Sequence, residues 1–455
     1  MTARDQLIQQ DLRHLIHPMT HLREHAAHGP KIVVSGQGAV LRDLDGREIL
    51  DGFSGLWCVV VGHGRQEIIQ AVKKQMETIA YATSFFSLGN VPSVELAARL
   101  AGMFPREYGL NRMLFCCGGS EANETNFKFA RLYFALQGKQ EKNKIISRNW
   151  SYHGLSYGAL AATGIVPFHW NYDPIPEGFE KVVAPYCYQC DLELEYPACQ
   201  VACAKAVEEL IEELGPETVA AVVAEPVIGS GGIIPPPKEY FPRLREICDK
   251  HQVLLILDEV ITGFGRTGQM FAFQHWGVRP DMLTLAKGIT SGYIPLGAAV
   301  VSDRIYDTIA ENLPEQLPLM HGFTYMNHPV GCAAAMANLD IIEKENLPEK
   351  AAEKGRYLLD KLEKLRKFDS VGDVRGLGLM AAVEFVKDKK AKTPFEPPHG
   401  APTTVCELAW KRGVYMRPTM EVVGLAPPLS VTQKQLDQMV KVLEEAIPLM
   451  EKQLS

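Results

Sequence analysis

Two apolar runs in this sequence end in residues that could hold a nitrogen-containing ring between them. Asp258 ends the run VLLILD, and Lys287 ends the run MLTLAK. A carboxylate at the end of a buried strand is poorly solvated and needs a cationic partner, such as a protonated pyridine nitrogen. Desolvation in the same setting lowers the pKa of a lysine, which makes its amine competent to form an imine. A pyridine aldehyde would need both groups, the acid at its nitrogen and the lysine at its aldehyde.

Each of these two residues also has an ordinary structural explanation. Asp258 could cap the following turn or pair with a local arginine, and Lys287 could be a surface lysine just past a strand. The pair favours the chemical explanation, because two separate runs that end in this way suit adjacent strands of one sheet.

A site for an anion is indicated by CCGGSEANET (116–125), which opens a helical pattern. Gly118 and Gly119 would let the backbone approach an anion closely. Ser120 is predicted at the N-cap, where free amides and the helix dipole face the anion. The alternative is a plain capped helix, since glycine pairs often precede helices.

A second glycine-rich segment, GFGRTG (263–268), matches the dinucleotide pattern G-x-G-x-x-G. That pattern should lie directly between a strand and a helix. Here it follows Asp258 by several residues, and the next stretch contains Pro280 and makes a poor long helix. We therefore expect no dinucleotide site in this segment.

The elements that would position these groups follow an α/β pattern. Residues 39–51 predict a hairpin around Asp45-Gly46, and helical patterns follow at 66–79 and 92–103. Farther along, short apolar runs alternate with longer amphipathic segments, which predicts a mostly parallel sheet covered on both faces. The runs are 113–117, 144–148, 218–225, 253–259 and 282–287.

The character of the sequence changes near residue 330. An Ala-rich helix (331–345) and a charged helix (348–367) precede one strand-like segment, VRGLGLMAAVEF (374–385), and a final helix is predicted at 432–453. The predicted organisation is an N-terminal segment (1–65) that joins the small domain, a large domain (66–329) and a smaller α+β domain (330–455).

The composition is that of an ordinary globular protein, with 46% hydrophobic residues and a formal net charge of -7. This mild acidity argues against nucleic-acid binding. No run reaches the roughly 18 consecutive apolar residues that span a bilayer. The polar N-terminus lacks the apolar stretch of a secretory signal, so we expect a cytoplasmic protein with no membrane partner. Buried structural thiols are expected at Cys58, Cys116, Cys117, Cys248, Cys332 and Cys406.

Several motifs together resemble one known family. LLILDEVITGFGRTG, followed by PDMLTLAKGITSGYIPLGAAV, closely resembles the class III aminotransferases of fold type I, and most of all the omega-aminotransferases. The resemblance covers nearly the whole chain and includes GGSEANE (118–124), SYHG (151–154), AEPVIGSGG (224–232), HGFTYMNHPV (321–330) and VRGLGL (374–379). It implies a pyridoxal-phosphate site between two domains at the interface of a homodimer, either alone or within a dimer of dimers.

The resemblance also implies a role for each matching residue. Lys287 would carry the cofactor as a Schiff base and move the proton between the substrate Cα and the cofactor. Asp258 would hold the pyridinium proton, and Tyr152 and Val260 would support the two faces of the ring. The other implied cofactor contacts are Gly119, Ser120 and Glu225 and, from the partner subunit, Phe323 and Thr324.

The implied substrate pocket is apolar and is lined by Trp57, Phe85 and Tyr152, with Phe85 contributed by the partner subunit. Arg417, in VYMRP, matches the mobile arginine of the omega-aminotransferases. It could bind an acceptor carboxylate bidentately and swing out for an apolar amine. A solvated arginine before a proline is the alternative.

A segment with four cysteines departs from the family pattern. Cys187, Cys190, Cys199 and Cys203 lie in CYQCDLELEYPACQVAC, within an insertion at about 185–204. In a cytosolic protein this density suggests a metal site more than disulfides. Zinc and an iron–sulfur cluster both accept four thiolates, and some aminotransferases of this type resemble the chain in carrying such an insertion with a cluster, which favours iron–sulfur. Two disulfides, or free thiols in an ordered loop, are the alternatives.

The expected activity is transamination. A primary amine or amino acid would leave its amino group on the cofactor, and a keto acid, pyruvate by resemblance, would then accept that group in a ping-pong sequence. One alternative is a decarboxylase or an aminomutase of the same fold. Another is a non-enzymatic, metal-clipped binding protein on a relict fold, against which the intact set of Lys287, Asp258 and Ser120 argues.

Overall fold

The computed structural model describes residues 2–396 and 399–454. Its N-terminal part consists of helices α1 (Ala3–His14) and α2 (Leu22–His28), followed by strands β1 (Val33–Gln37), β2 (Val40–Asp43) and β3 (Glu48–Asp51). Strands β2 and β3 pair antiparallel, so the predicted hairpin is confirmed. Its turn depends on Gly46, at φ +80°, and on the Asp43 side chain, which accepts hydrogen bonds from the backbone N–H groups of Asp45 and Arg47.

The central part of the chain alternates strands and helices. Its elements are α3 (Ser54–Trp57), α4 (Gln66–Thr78), α5 (Val91–Met103), β4 (Arg112–Cys116), α6 (Gly119–Ala135), β5 (Lys144–Arg148), α7 (Tyr157–Ala162), β6 (Phe179–Val182), α8 (Ala202–Leu214), β7 (Val219–Ala224), α9 (Tyr240–Lys250), β8 (Leu254–Asp258), β9 (Met282–Leu285), β10 (Gly297–Val301) and α10 (Asp303–Asn312).

These strands form a sheet with the order β4-β10-β9-β8-β7-β5-β6 among the described residues. All neighbouring pairs are parallel except those of β10, which runs antiparallel to both β4 and β9. Every residue of β7 and β8 is buried. Continuous burial is expected for strands covered on both faces, and it explains why these runs are apolar without alternation. The predicted mostly parallel α/β sheet is confirmed.

The C-terminal part builds a smaller antiparallel sheet with the order β11-β12-β15-β14. Its elements are α11 (Pro329–Lys344), α12 (Leu347–Leu362), β11 (Val371–Gly376), β12 (Ala381–Phe385), α13 (Gly400–Lys411), β13 (Val414–Tyr415), β14 (Arg417–Thr419), β15 (Val422–Leu425) and α14 (Gln433–Leu454). Strand β13 instead pairs parallel with β3, which joins the N-terminal hairpin to this part of the chain.

The prediction of one strand-like segment at 374–385 is wrong. Strands β11 and β12 are antiparallel partners separated by a tight turn around Gly378, at φ +59°. A Cβ at Gly378 would lie 2.3 Å from the backbone carbon of Thr267, so only glycine fits there. The glycines of VRGLGL were the turn signal in the sequence.

Residues 263–268, which match the dinucleotide pattern, form turns and are followed by a short 3-10 helix. Arg266 in this segment is fully buried and donates hydrogen bonds to the carbonyls of Leu379 and Pro427 and to the Ser54 hydroxyl. The segment therefore connects the large sheet to the C-terminal sheet. Among the described residues, no helix combines the length and the apolar character needed to cross a membrane.

Candidate active site at the strand ends

The predicted acid and lysine meet at the carboxyl ends of β8 and β9. These strands are parallel neighbours, with Asp258 opposite Thr284, and Lys287 follows β9 directly. A cavity of about 340 Å³ opens here and is lined by Lys287, Asp258, Ser120, Tyr152, Glu225 and Val260, among others. Lys287 and six of the predicted cofactor-binding residues, Gly119 among them, are thereby brought to one cavity.

Asp258 is held rigidly by three donors. Its Oδ2 accepts hydrogen bonds from Asn123 Nδ2 and His153 Nδ1, each at 2.8 Å, and its Oδ1 accepts one from the backbone N–H of Val260 at 3.1 Å. An ionised carboxylate only accepts hydrogen bonds, so His153 Nδ1 must carry the proton in this pair. These contacts fix the direction in which the carboxylate faces the cavity.

Lys287 lies in an unusual backbone and electrostatic setting. Its φ is +45°, a left-handed conformation that a non-glycine residue adopts at some cost, and such conformations concentrate at functional sites. Burial lowers the pKa of its amine, although Cys58, Asp258 and Glu225 oppose the shift. Its Nζ makes no ion pair or hydrogen bond to the described residues. The amine is therefore available, and its neutral form is favoured more than in an ordinary lysine.

The first turn of α6 provides the anion site, with one correction to the prediction. Gly118, not Ser120, is the N-cap, and Ser120 lies within the first turn. The first amides of a helix have no acceptor within it, and the residues at this helix start, Gly118, Gly119 and Ser120, line the cavity. A Cβ at Gly119 would lie 2.9 Å from Val260 Cγ2, which shows how closely this turn packs on the segment after β8.

Tyr152 and Glu225 are linked on the cavity wall. Glu225 accepts hydrogen bonds from the backbone N–H groups of Tyr152 and Gly229, each at 2.9 Å. Burial raises the pKa of Glu225. Burial also raises the pKa of Tyr152, and the Tyr152 ring meets Phe168 edge to face with centroids 5.7 Å apart. Glu225 therefore fixes the backbone that presents the Tyr152 ring to the cavity.

A second cavity, of about 300 Å³, adjoins the first and shares Lys287 and Tyr152 with it. Trp57 and Arg417, both predicted substrate residues, line this second cavity. Arg417 Nη2 lies 3.7 Å from the Met19 sulfur, and no carboxylate among the described residues pairs with it. The cavity thus presents an unpaired cation opposite aromatic walls.

Phe85, Phe323 and Thr324 do not line either cavity of the single chain. They lie near one another instead: a Cβ at Gly322 would meet the Phe85 ring, and the Thr324 carbonyl accepts a hydrogen bond from Tyr81. Phe85 is 37% exposed. The structure therefore groups these residues outside the two cavities that Lys287 of their own chain lines.

Sequence reasoning missed Asn123 and His153 as partners of Asp258. Asn123 also accepts a hydrogen bond from Thr284 Oγ1, so it ties α6 to both strands that carry the site. Both residues lie in motifs already singled out, GGSEANE and SYHG. Each motif contains a polar residue, and a polar side chain that becomes buried needs a hydrogen-bond partner. This need was the signal that the sequence offered.

The cysteine prediction needs a further correction at Cys58 and Cys117. Both are only partly buried and line the cavity of Lys287. Burial raises the pKa of each thiol. They are therefore neutral side chains of the cavity wall and not core thiols. The other four predicted core cysteines are buried.

The four clustered cysteines line a third, small cavity together with Tyr186 and Tyr196. All four are free thiols in the structure, so disulfides are absent among them. Cys187 and Cys190 lie in the loop after β6, whereas Cys203 lies in the first turn of α8, so the segment is not a loop throughout.

The residues of the first cavity fit pyridoxal phosphate. A fixed carboxylate, an unpaired amine of lowered pKa and the open amides of α6 face one space. The buried Nε2 of His153, on the same wall, makes no hydrogen bond to the described residues. Asp258 would hold the ring nitrogen, Lys287 the aldehyde carbon, and Gly119 and Ser120 the phosphate.

Comparison with known proteins agrees with this site. The family described as "Aminotransferase class-III" matches residues 23–447. The chain is 38% identical to a putrescine–pyruvate aminotransferase of Pseudomonas aeruginosa over 95% of this chain and 94% of the relative. It is also similar to the crystal structure of a thermostable (S)-enantioselective omega-transaminase from Thermomicrobium roseum, at 43% identity, TM-score 0.95 and 99% coverage of both chains. An amine transaminase from an uncultivated Pseudomonas species, solved in its PLP-bound form, is 40% identical with a TM-score of 0.93, over 96% of this chain and 99% of that one.

Proposed function

Because this chain belongs to the class III aminotransferases, which transfer amino groups with pyridoxal phosphate, we propose that it is an omega-transaminase for primary amines with a small keto acid as acceptor. The amine donor would enter the cavity that Lys287 shares with Trp57 and Arg417. The acceptor would follow it in the same cavity. The family assignment argues against the relict binding protein considered above.

Each residue of the site has a definable task. Pyridoxal phosphate, when bound, supplies an aldehyde that condenses reversibly with amines and a ring that withdraws electrons from the substrate carbon. Lys287, with its lowered amine pKa, takes the proton from the substrate Cα and returns it one position away. Asp258, fixed by Asn123 and His153, keeps a proton on the ring nitrogen. Tyr152 and Val260 hold the ring between them.

The observation that carries the proposal is the composition of the second cavity. Trp57, Tyr152 and Phe168 give it aromatic walls, which suit the side chain of an amine. Arg417 gives it a single unpaired guanidinium, which suits a carboxylate. One cavity could therefore admit an apolar amine and a keto acid in turn.

Pyruvate is the proposed acceptor, as in the name of the relative from Pseudomonas aeruginosa. A keto acid with one carboxylate would pair with Arg417 and leave no second charge without a partner in the cavity. Because donor and acceptor use the same site in turn, ping-pong kinetics are expected, with parallel double-reciprocal plots for varied amine and pyruvate.

The test separates the two half-reactions. Arg417→Ala should raise the KM for pyruvate by roughly tenfold or more, because a charge-assisted bidentate contact is lost. The rate with a benzylic amine donor, followed as a single turnover, should change little. Arg412→Ala is the matched control, since Arg412 forms a surface ion pair with Glu445. An unchanged pyruvate KM in Arg417→Ala would contradict the proposed acceptor site.

Decarboxylation and amine migration are tested with the same preparation. Transamination releases a carbonyl product and alanine in equal amounts and depends on added pyruvate. Carbon dioxide release, or product formation without any acceptor, would favour the decarboxylase or the aminomutase instead.

The assembly proposed here is a homodimer, alone or paired into a tetramer, in which Phe85, Phe323 and Thr324 complete the site of the partner subunit. Their absence from the two cavities of their own chain supports this. The proposed domain division is a large domain over 66–329 and a small domain over 330–455, and residues 1–65 are proposed to belong to the small domain. The pairing of β3 with β13 supports this assignment of residues 1–65. We also propose a cytoplasmic location, because the described cysteines are all free thiols.

An iron–sulfur cluster is proposed for the cavity lined by Cys187, Cys190, Cys199 and Cys203. A tetrahedral zinc site with Zn–S bonds near 2.3 Å needs its sulfurs about 3.8 Å apart. Among the described residues, no three of these sulfurs lie within 4.8 Å of one another, although all four face one cavity. Wider spacing suits a cluster in which each cysteine binds a different iron atom.

A buried cation is connected to this segment through Tyr240, which lies near Cys203, and it supports an anionic occupant. Arg148 is completely buried, and its Nε and Nη1 make no hydrogen bond to the described residues. It lies over the Tyr240 ring at 5.7 Å, and the Tyr240 hydroxyl also makes no hydrogen bond. Burial raises the pKa of Tyr240 to about 12, and Cys203 lies near enough to add to that shift. A cluster held by thiolates would supply the missing negative charge.

Metal analysis of anaerobically purified protein tests the cluster. Iron and acid-labile sulfide, with a broad visible absorption beyond that of the bound pyridoxal phosphate, are expected. Cys190→Ser combined with Cys199→Ser should abolish both. Cys332→Ala, which changes a buried thiol in α11, is the control. Stoichiometric zinc, or no metal at all, in the wild-type protein would contradict the iron–sulfur assignment.

A further inference from the structure

Three metal-binding side chains converge far from the cysteines, between α1 and α2. His17 Nε2 lies 3.0 Å from both carboxylate oxygens of Asp11, and His25 Nε2 lies 3.2 Å from Asp11 Oδ1. These three ligand atoms all lie within 4.8 Å of one another. We propose that Asp11, His17 and His25 bind a divalent first-row transition metal ion, such as Zn²⁺, and that this ion fixes the corner between the two N-terminal helices.

The geometry favours a shared cation over hydrogen bonds alone. Metal–ligand bonds of about 2.0–2.1 Å place neighbouring ligand atoms about 3.0–3.4 Å apart, which brackets the spacings of this site. His25 Nε2 is buried and makes no hydrogen bond, although Asp11 Oδ1 is only 3.2 Å away. Its ring nitrogen therefore does not point along the line to that oxygen. A cation between the three groups would give this buried nitrogen a partner.

The donor set and its burial suit such an ion. Two imidazole nitrogens and one carboxylate form a set used by zinc and by other first-row metals, with positions left for water. The side chains of Asp11 and His25 are 10% and 14% exposed, and that of His17 is 31% exposed. The ligands are thus largely shielded, while one side remains open for an ion to enter.

Neighbouring histidines differ from the three proposed ligands. His28, in the last turn of α2, is exposed, and its Nδ1 contacts the carbonyl of Glu24. A different cluster, Glu208, Glu212 and His251, also has suitable spacing, but Lys250 and Arg243 already neutralise Glu208 there. Among the described residues, no lysine or arginine pairs with Asp11 in this way. Of the two clusters, the Asp11 cluster is therefore the one without a positively charged partner.

The site lies at a structurally useful place. The link from α1 to α2 contains Met19, which lies between two of the proposed ligands in sequence. Met19 lines the second cavity, and its sulfur lies 3.7 Å from Arg417 Nη2. An ion that closes the loop from His17 to His25 would hold this link against the cavity mouth.

Cobalt(II) alone is a suitable probe, because its visible d–d bands report binding to nitrogen and oxygen ligands. Binding to thiolates would add a separate, intense charge-transfer band, so the spectrum distinguishes this site from the cysteines. The test uses the chelator-treated holoenzyme with its pyridoxal phosphate retained. The wild-type protein and His28→Ala should bind one equivalent with d–d bands and no new thiolate band. Asp11→Asn and His25→Ala should bind at least about tenfold more weakly, as expected when a metal ligand is lost.

Two further readouts keep the test decisive. Cobalt or zinc should raise the Tm of the wild-type protein and of His28→Ala and should protect the 15–21 link from chymotrypsin-like cleavage after Leu15, whereas His25→Ala should show neither effect. Each variant should keep its pyridoxal-phosphate absorbance, which shows that it is folded. Equal cobalt binding by wild type, Asp11→Asn and His25→Ala, or no d–d bands in the wild-type protein at millimolar cobalt, would overturn the proposal.

Discussion

Lys287 and Asp258 owe their properties to their surroundings more than to their residue types. The strained φ of +45° turns Lys287 from the end of β9 into the cavity, where burial lowers the pKa of its amine. Asp258 is fixed by Asn123, His153 and the Val260 amide, so its carboxylate cannot rotate to find another partner. A lysine and an aspartate in solution would have neither property.

Replacement of Lys287 tests the residue at the centre of the site. Lys287→Ala should lower kcat by roughly a thousandfold or more, as the loss of other covalent catalytic groups does. Steady-state assays with an amine and pyruvate would measure this. Lys205→Ala, at a surface ion pair with Glu209, should keep wild-type activity. Near-normal turnover in Lys287→Ala would show that another residue performs the chemistry.

The pKa of Lys287 predicts how reconstitution depends on pH. Only the neutral amine attacks the cofactor aldehyde, and its fraction grows as pH rises through the pKa. Since burial lowers that pKa from the ordinary 10.5, the rate at which apoenzyme takes up pyridoxal phosphate should reach its plateau below pH 10.5. Stopped-flow absorbance at a series of pH values measures this rate. A rate at pH 10.5 that is only half of its plateau value would show an unshifted lysine.

At the scale of elements, the site depends on how α6 meets β8 and β9. Asn123 in the second turn of α6 bonds both Asp258 and Thr284, and Asn126, one turn on, donates to the Leu283 carbonyl and to Thr284 Oγ1. These buried contacts fix the start of the helix over the strand ends. The open amides of α6 are thereby held at a set distance from Lys287.

The two glycines at the start of α6 offer a matched comparison. Gly119→Ala would place a Cβ 2.9 Å from Val260 Cγ2, so either the helix or Val260 must shift. We expect pyridoxal-phosphate affinity to fall about tenfold, or ~1.4 kcal/mol, since overpacking of a close contact displaces both the phosphate site and the ring support. Titration of apoenzyme with the cofactor measures the change.

Gly118→Ala is the control for that comparison. A Cβ at Gly118 meets nothing within 4 Å, and its φ of -177° is open to any residue. Its affinity for pyridoxal phosphate should stay near the wild-type value. If the two variants bound the cofactor equally well, the close approach of Gly119 to Val260 would not matter for binding.

At the scale of the whole molecule, the cysteine segment joins the two large parts of the chain. Tyr186 and Gln189, on either side of Cys187, both donate to the Glu384 carboxylate on β12. Arg375 pairs with the same carboxylate and donates to the carbonyls of Gly232 and Ile233, in the loop after β7. An occupied cysteine site would therefore brace the small sheet against a loop whose Ser230 lines the second cavity.

A complementation experiment tests the proposed shared sites. In a heterodimer of Lys287→Ala and Thr324→Asp chains, one site would contain both lesions and the other would contain neither. If Thr324 serves the partner's site, about half of the wild-type activity per dimer should return, because one intact site of two remains. Differentially tagged chains, co-expressed and purified as the mixed dimer, allow the measurement.

The control pairs Lys287→Ala with Arg417→Ala. Both residues line the same cavity of one chain, so every site of this mixed dimer keeps one lesion and normal pyruvate kinetics should not return. No recovery in the Thr324→Asp dimer, with each parent inactive, would show that Thr324 belongs to the site of its own chain.

Much of the outline could be predicted from local sequence. The structure confirms the buried apolar strands, the Asp45-Gly46 hairpin and the position of Asp258 and Lys287 at adjacent strand ends. These features could be predicted because apolar runs and turn residues act within a few positions of the chain. Ser120 was placed wrongly at the N-cap because a glycine can cap a helix without a side-chain signal. Segment 374–385 was read as one strand because its turn depends on space beside Thr267, which is far away in sequence.

The sequence by itself determined the fold class, the family and the placement of a lysine and an acid at adjacent strand ends, since residue types and short spacings encode these. The tertiary structure alone decided which groups surround them: Asn123 and His153 on Asp258, Cys58 and Cys117 on the cavity wall, and Tyr240 under the buried Arg148. These contacts join residues that lie tens to hundreds of positions apart. Burial and hydrogen-bond satisfaction are properties of that packing, so no local pattern could have specified them.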